Sequence, residues 1–360
     1  MYIPIMKTRQ EELKVTKELN FCFSDKIIPL FEIINEIYKD EYELDDRGKP
    51  VMELKSGKSK RSKVIKESKI VTLDTINEIS NGAKVFIDYF RFDVKKYGTR
   101  LDFNKIKLSY MLNNNDSEYI KKLENIYTYE NMIPVFSLKN PFKFSISDTK
   151  EIIKKLKSLN ESIAFRIEDN IFEDYTDIIK NDLRESDYLL YDIHEQNFYS
   201  KVIEIDELKE CETKAKKILL NSPRLLKIAN KDYEDLEKTA LIDNSVKTEY
   251  SNYDLDGFGD YGGLKDQLPT KGGGSGTGSA LALLYSYEDN SFYSFCNSDT
   301  SLGLRGYPYV IKKVLEYEST LNTDNDCEAY LKIKSTKNGT WGTWNNITLT
   351  RYIHQIYLNT

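Results

Sequence analysis

Charged and polar side chains recur at one kind of place in this sequence, at or just beyond the end of a short apolar run. Glu32 lies in IIPLFEII, Asp88 and Arg91 close KVFIDYF, and Ser137 and Lys139 close MIPVFSL. Arg166, Glu168 and Asp169 close SIAFRI, Asp192 and His194 close YLLYDI, and Ser222 and Arg224 follow KILL. Gathered at one rim, such carboxylates could hold a divalent ion, Mg2+ or Mn2+, through hard oxygen ligands. They could equally divide acid and base roles if their surroundings push their pKa values apart. Arg166 and Arg224 would then clamp a phosphate, because guanidinium matches its oxygens in pairs. These are the parts of a metal-dependent phosphoester hydrolase. Its candidate catalytic groups are Asp88, Glu168, Asp192 and His194, with Arg91, Arg166 and Arg224 as ligand contacts. Position alone assembles the set, so a salt-bridge ring lining the rim is the plainer reading.

Histidine is scarce: only His194 and His354 occur. A Ser-His-Asp triad would need one of them, and no G-x-S-x-G elbow accompanies either. His194 is a candidate lone acid or base, or else a loop residue. His354 falls in a helical stretch as a surface or packing residue. Nine of the 17 glycines lie in residues 257–278. Backbone N–H groups freed of side chains can cradle phosphate. The run does not fit G-x-x-x-x-G-K-[ST], however, and a flexible solvent loop is the alternative. Within it, Gly259-Asp260-Tyr261-Gly262 reads as a turn in which Asp260 and Tyr261 position Lys265. All three join the candidate ligand contacts.

A third chemistry sits in the insertion 41–69. Its second half holds Lys55, Lys58, Lys60, Arg61, Lys63, Lys66 and Lys69 against Glu67. Such a run binds phosphate backbones by counterion release, without reading sequence. Lys58, Lys60, Arg61 and Lys63 are the candidate nucleic-acid contacts. The segment has few aromatics for base stacking, and a mobile, solvated charged loop is the alternative.

The elements that must position these groups are legible as alternation. The apolar runs are short and rich in β-branched and aromatic residues, as parallel strands buried on both faces are. Seven appear before residue 221, at 2–6, 27–34, 84–90, 132–138, 162–167, 188–193 and 217–220, and helical patterns separate them. An eighth is expected in 239–246 or 247–258. Eight βα units close a TIM-like (β/α)8 barrel, whose chemistry sits at the C-terminal ends of its strands; a doubly wound open sheet is the alternative. Pro4, Pro29 and Pro134 each follow an Ile, as strand-opening prolines would. Beyond residue 258 the pattern changes. A hairpin turns at Glu288-Asp289-Asn290, a helix covers 309–317, residues 329–334 alternate apolar and polar, and 347–358 is helical. The division expected is a barrel body, 1–258, carrying the insertion, and an elaboration packed on it, 259–360.

Composition bounds the rest. The chain has 360 residues, 40% of them apolar, enough for one large core. Its net charge of -6 makes any nucleic-acid binding local. Four cysteines without C-x-x-C spacing read as buried, reduced thiols. No run is long and apolar enough for a signal peptide or a membrane span, so a cytoplasmic protein without membrane partners is expected.

The opening YIPIMKTRQEELKVTKEL followed by IIPLFEI, the segment GFGDYGGLKD at 257–266, and the terminal TWGTWNNITLTRYIHQIY together resemble the Beta-protein family of phage and bacterial proteins. The resemblance implies a barrel-like fold and a setting in prophages and defence-rich regions. It implies no established reaction. The insertion 39–69 and the run GGGSGTGS depart from that pattern. The function expected first is therefore a barrel-scaffold interaction protein of prophage or antiphage defence, partnered by another protein of such a system. Phosphoester hydrolysis at the C-terminal face and nucleic-acid binding through 55–69 are the alternatives.

Overall fold

The computed structural model describes residues 1–54, 60–98, 100–271, 278–317, 321 and 327–360. Eight strands form a closed barrel: β1 (Tyr2–Lys7), β2 (Leu30–Ile33), β3 (Val85–Tyr89), β4 (Met132–Leu138), β5 (Ala164–Glu168), β6 (Tyr188–Asp192), β7 (Lys216–Leu220) and β8 (Gly257–Asp260). Each runs parallel to its sequence neighbours, and β8 pairs with both β7 and β1. That last pairing closes the ring and rules out the open sheet. Strands β1 to β6 are buried along their whole length, which is why they read as unbroken apolar runs.

Helices carry the crossovers. The helix Ile146–Leu159 shows the local logic. The Ser145 side chain accepts from the Asp148 N–H at its N-terminus, and Thr149, Ile152, Ile153 and Leu156 face the barrel at helical spacing. Six crossovers have a helix of this kind, but β7 reaches β8 with only the short Ser245–Glu249. The helix that completes the ring comes later, as Trp341–Leu358. It packs against Gln10–Glu18, and its Leu349, Tyr352, Ile353 and Ile356 join the barrel's core.

Between β8 and that helix lies the elaboration. Strands β9 (Ala280–Ser286) and β10 (Ser291–Asn297) form the expected antiparallel hairpin. One face of it, with Leu281, Leu283, Tyr285 and Phe292, belongs to the barrel core. The other, with Ala280, Ala282, Leu284 and Phe295, builds a second core with Tyr307–Glu316 and Glu328–Ser335.

Four expectations need correction. The eighth strand is neither 239–246 nor most of 247–258, but Gly257–Asp260 at the front of the glycine-dense segment. A Cβ on Gly257 would lie 2.5 Å from Met1 O, and one on Gly259 2.7 Å from Ile3 O, so β8 can approach β1 only as glycine. Pro4 and Pro134 lie inside their strands. Each sits where a strand hands its pairing from one neighbour to the next, β1 from β8 to β2 and β4 from β3 to β5, so the missing donor falls at a break in the ladder. The insertion is an antiparallel ribbon, Tyr38–Tyr42 with Ile65–Ile70, extended by Met52–Glu53 with Ser62–Lys63. Its strands are exposed on both faces and so carry no apolar alternation. Residues 329–334 fall in the helix Glu328–Ser335, where Ala329, Tyr330 and Ile333 share its buried side. The four cysteines are buried and free. Among the described residues, no helix is long and apolar enough to cross a membrane.

Candidate functional site

Parallel register brings the strand ends to one height. Lys7 is level with Glu32, Glu32 with Asp88, Ser137 with Arg166, and Glu168 with Asp192. Their side chains fill the C-terminal mouth as one charged layer, all of them nearly or fully buried.

Arg166 is its centre. Nη1 donates to Glu32 Oε1 at 2.7 Å and to Asp88 Oδ2 at 2.9 Å, while Nη2 and Nε donate to Asp192 Oδ2 at 2.6 and 3.0 Å. Ser137 Oγ and Tyr261 OH add bonds to Asp88 Oδ2 and Glu32 Oε1, at 2.8 and 2.9 Å. Burial works against charge on Glu32, but Lys7 and then Arg166 outweigh it and lower its pKa. One oxygen, Asp88 Oδ1, is buried without a hydrogen-bond partner.

Lys7 ties this cluster to the loop after β8. Its ammonium bonds Glu32 and also Asp266 Oδ1, the latter at 2.6 Å. Asp266 further accepts from Tyr97 OH at 2.7 Å and Lys96 Nζ at 3.2 Å. Against the cost of burial, Lys7 and Lys96 hold its carboxyl well below the usual range.

A more accessible pair stands beside the layer. His194 has left-handed backbone (φ 54°), and its N–H donates to Asp192 Oδ1 at 2.9 Å. The turn swings the ring onto Glu168, with Nε2 2.9 Å from Oε1. Glu168 Oε2 also accepts from the Asn140 N–H at 2.9 Å. Burial opposes charge on the imidazole, but Asp192 and Glu168 prevail, and its pKa stands above the ordinary value. Lys96 Nζ lies 3.1 Å from Nδ1 and can donate there only when that nitrogen is unprotonated, so Lys96 and the proton compete for one lone pair.

His194, Glu168, Lys96, Lys139, Arg91 and Arg166 line a cavity of about 240 Å³, roofed partly by Phe90, Phe92 and Phe142. A larger hollow of about 830 Å³ shares Lys96 and Tyr97 as its wall and reaches Thr8, Asn35, Glu36 and Gln267. Lys139 is 7% exposed. Its ammonium rests 4.2 Å from the centre of the Phe90 ring, and its hydrogen bond is a long one, 3.5 Å to Arg91 O. Burial, then the charge of Arg166, lowers its pKa.

Of the candidates, the mouth brings together Asp88, Asp192, Arg166 and Tyr261 in the buried layer, and Glu168, His194 and Arg91 at the cavity. Arg91 pairs with Asp116 at 2.8 Å. The others lie elsewhere. Arg224 bonds Gly263 O and Asn230 Oδ1, both at 3.2 Å, against the Tyr233 ring. Lys265 donates to the carbonyls of Leu226 and Ile228. Asp260 is held by Tyr2 OH at 3.1 Å, Tyr352 OH at 2.6 Å and the Gly262 N–H at 2.8 Å. On the ribbon, Lys60, Arg61 and Lys63 are exposed, and Lys63 lies over the Tyr42 ring. Lys58 and the glycines within 272–277 lie outside the described residues. Among the described residues, no group of three or more His, Cys, Asp or Glu side chains is arranged to hold a metal ion. The three converging carboxylates surround a guanidinium instead.

Lys7, Lys96, Tyr97 and Asp266 belong to the site without having been singled out in the sequence. Lys7 ends an apolar run and obeys the rule that found Glu32. Lys96 and Tyr97, on the short helix Val94–Tyr97, and Asp266, in the loop after β8, carry no such signal.

The model of the family described as Beta protein matches residues 2–231 of this chain, well over half of it. That span supplies every group named above as lining the smaller cavity, with Asp266 of that cavity and Gln267 of the larger hollow beyond it, and holds the first of the three resembling segments; the other two lie beyond it. No curated protein matches the chain.

Proposed function

Since the chain belongs to the Beta protein family, we propose that what this family's barrel carries here is a site for a small anionic ligand at its C-terminal mouth. One observation carries the reading. Of the cations lining the cavity, Lys96, Arg91, Arg166 and His194 each have a carboxylate within ion-pair distance, and Lys139, among the described residues, has none. Burial without a counter-charge disfavours the ammonium form of this lysine, and a bound carboxylate or phosphate oxygen would stabilise it. The volume suits a compound below the ~300–1,000 Å³ of drug-sized sites. Metal-dependent phosphoester hydrolysis has less support, because Glu32, Asp88 and Asp192 already converge on the Arg166 guanidinium where a metal ion would sit.

Calorimetric titration with inorganic phosphate and with acetate tests it. Binding is expected to be tighter at pH 6 than at pH 8, as His194 gains charge, and to weaken at least about tenfold in Lys139→Met, a loss of ~1.4 kcal/mol. No binding of either probe at millimolar concentration, or equal binding by the variant, overturns it.

A second reading has its own observation. The ribbon exposes Tyr38, Leu44, Met52, Leu54, Ile65 and Ile70, more apolar surface than a solvated arm requires. It suits a protein partner, and with the resemblance it supports the interaction-protein reading, in a cytosolic prophage or antiphage-defence system. Loss of a co-purifying partner of that system on Ile65→Lys with Ile70→Lys, with the barrel still folded, is the expected result. Retention of the partner would overturn it.

A further inference from the structure

We propose that Lys139 is a nucleophilic amine and that the mouth takes small carbonyl compounds bearing an anionic group, 2-oxo acids being the simplest class, by forming an imine with them. The proposal rests on the anion-site reading and adds the reactive group of the ligand.

The argument begins with how differently two lysines of this mouth are held. Lys7 is fully buried and pinned between two carboxylates, Glu32 and Asp266. Lys139, directly after β4, is nearly as buried but rests on the face of Phe90 with one long bond to a carbonyl. After burial, the charge that acts on it most is the Arg166 cation, ahead of the opposing Asp88, Glu32 and Asp192 carboxylates. Desolvation and an adjacent cation are the two conditions that hold a lysine amine neutral, with its lone pair available. The side chain reaches the cavity, so the amine is accessible to a small molecule though shielded from bulk water.

Imine formation also needs a proton carrier, and the same cavity has one. The Lys139 lone pair attacks the carbonyl carbon, forming the C–N bond, and the C=O π electrons move to oxygen, which takes a proton from the His194 imidazolium. The nitrogen then loses a proton to His194, which passes it to the hydroxyl; water leaves as the nitrogen lone pair forms the C=N bond, and the protonated imine returns its remaining N–H proton to His194. The net change is one amine and one carbonyl to one imine and one water, both hydrogens of the water coming from the amine. Glu168, 2.9 Å from His194 Nε2, holds the ring for this relay. Lys96, on the wall shared with the larger hollow, is placed to receive the ligand's carboxylate.

The test is reductive trapping. The full chain is incubated with pyruvate or glyoxylate and sodium cyanoborohydride, then analysed by intact mass and peptide mapping. The expected result is one dominant adduct on the peptide containing Lys139, formed at least about tenfold faster than on the average surface lysine. It should be slowed by inorganic phosphate and absent from Lys139→Arg, whose guanidinium cannot form the imine. Lys139→Met serves if the arginine variant does not fold. Adducts spread evenly over surface lysines, or a dominant adduct that persists in the variants, overturns the proposal. Phosphate binding without trapping at Lys139 sinks the imine and leaves the anion site standing; absence of both sinks the two together.

Discussion

Arg166 Nη1 lies 2.7 Å from Glu32 Oε1, so a guanidinium from β5 meets a carboxylate from β2 across the interior of the barrel. The same group reaches Asp88 and Asp192. One cation thus serves three buried anions from three strands, with Lys7 as second cation on Glu32. Such a cluster adds little net stability relative to apolar packing, but it is sensitive to the removal of one member.

Arg166→Met is therefore expected to destabilise the fold by about 3–5 kcal/mol, because it strands Glu32, Asp88 and Asp192 without their shared partner. Urea unfolding followed by circular dichroism measures it. Adding Asp192→Asn to that variant should recover part of the deficit, and a double-mutant cycle gives the coupling.

The His194–Glu168 pair predicts a pH dependence. A histidine whose pKa is raised on folding stabilises the native state fully below its unfolded value, near 6.5, and that contribution fades as pH rises through the raised folded value. The melting temperature of the parent should fall across that interval more than that of His194→Gln. With only two histidines in the chain, NMR titration alongside a His354→Gln control assigns the shifted resonance directly.

Gly259→Ala tests the closure of the barrel. The added carbon would stand 2.6 Å from Leu220 Cδ2 and 2.7 Å from Ile3 O. The leucine can turn aside but the carbonyl belongs to the paired strand, so a cost of about 1–3 kcal/mol is expected. Thermal unfolding is the check.

Tyr352→Phe removes the 2.6 Å bond to Asp260 Oδ2. Burial already raises the Asp260 pKa against the bonds from Tyr352, Gly262 and Tyr2. Losing one should raise it further and cost about 1–3 kcal/mol at neutral pH. Chemical denaturation at pH 5 and pH 7.5 should show the difference between variant and parent narrowing at the lower pH, where protonation removes the unsatisfied charge.

On the ribbon, replacing Lys60, Arg61 and Lys63 with Gln should leave stability within about 0.5 kcal/mol, since all three are exposed. It should also lower the salt sensitivity of any retention on duplex DNA, by about one unit of log-log slope for each phosphate that is no longer neutralised. Gel shifts at several salt concentrations read both the presence of binding and its slope.

How far the sequence discloses this molecule follows from what each element buries. Strands β1 to β6, and the last three residues of β7, are legible because inward and outward residues alike are shielded, by the interior and by the helices. β8 is not, because the tight approach of β1 demands glycine, and glycine reads as loop. The ribbon is hidden for the opposite reason: Tyr38–Tyr42 and Ile65–Ile70 are wet on both faces, so nothing in YKDEY or IKESKI alternates. In the site, Glu32, Asp88, Arg166 and Asp192 are legible as strand ends. Their partners Lys96 and Tyr97, on the short helix after β3, and Asp266, in the loop after β8, depend on how those connections fold back over the mouth, which local pattern does not encode.

The late position of Trp341–Leu358 bears on how the molecule is made. A chain leaving the ribosome N-terminus first has all eight strands in hand before it has the helix that covers the β8–β1 seam. In that interval Tyr2, Asp260 and the inner face of β9 await Tyr352 and its neighbours. Until that helix is made, what Leu349, Tyr352, Ile353 and Ile356 bury lacks their cover. The hairpin, which is translated first and packs under that helix, is placed to act as the barrel's temporary stave.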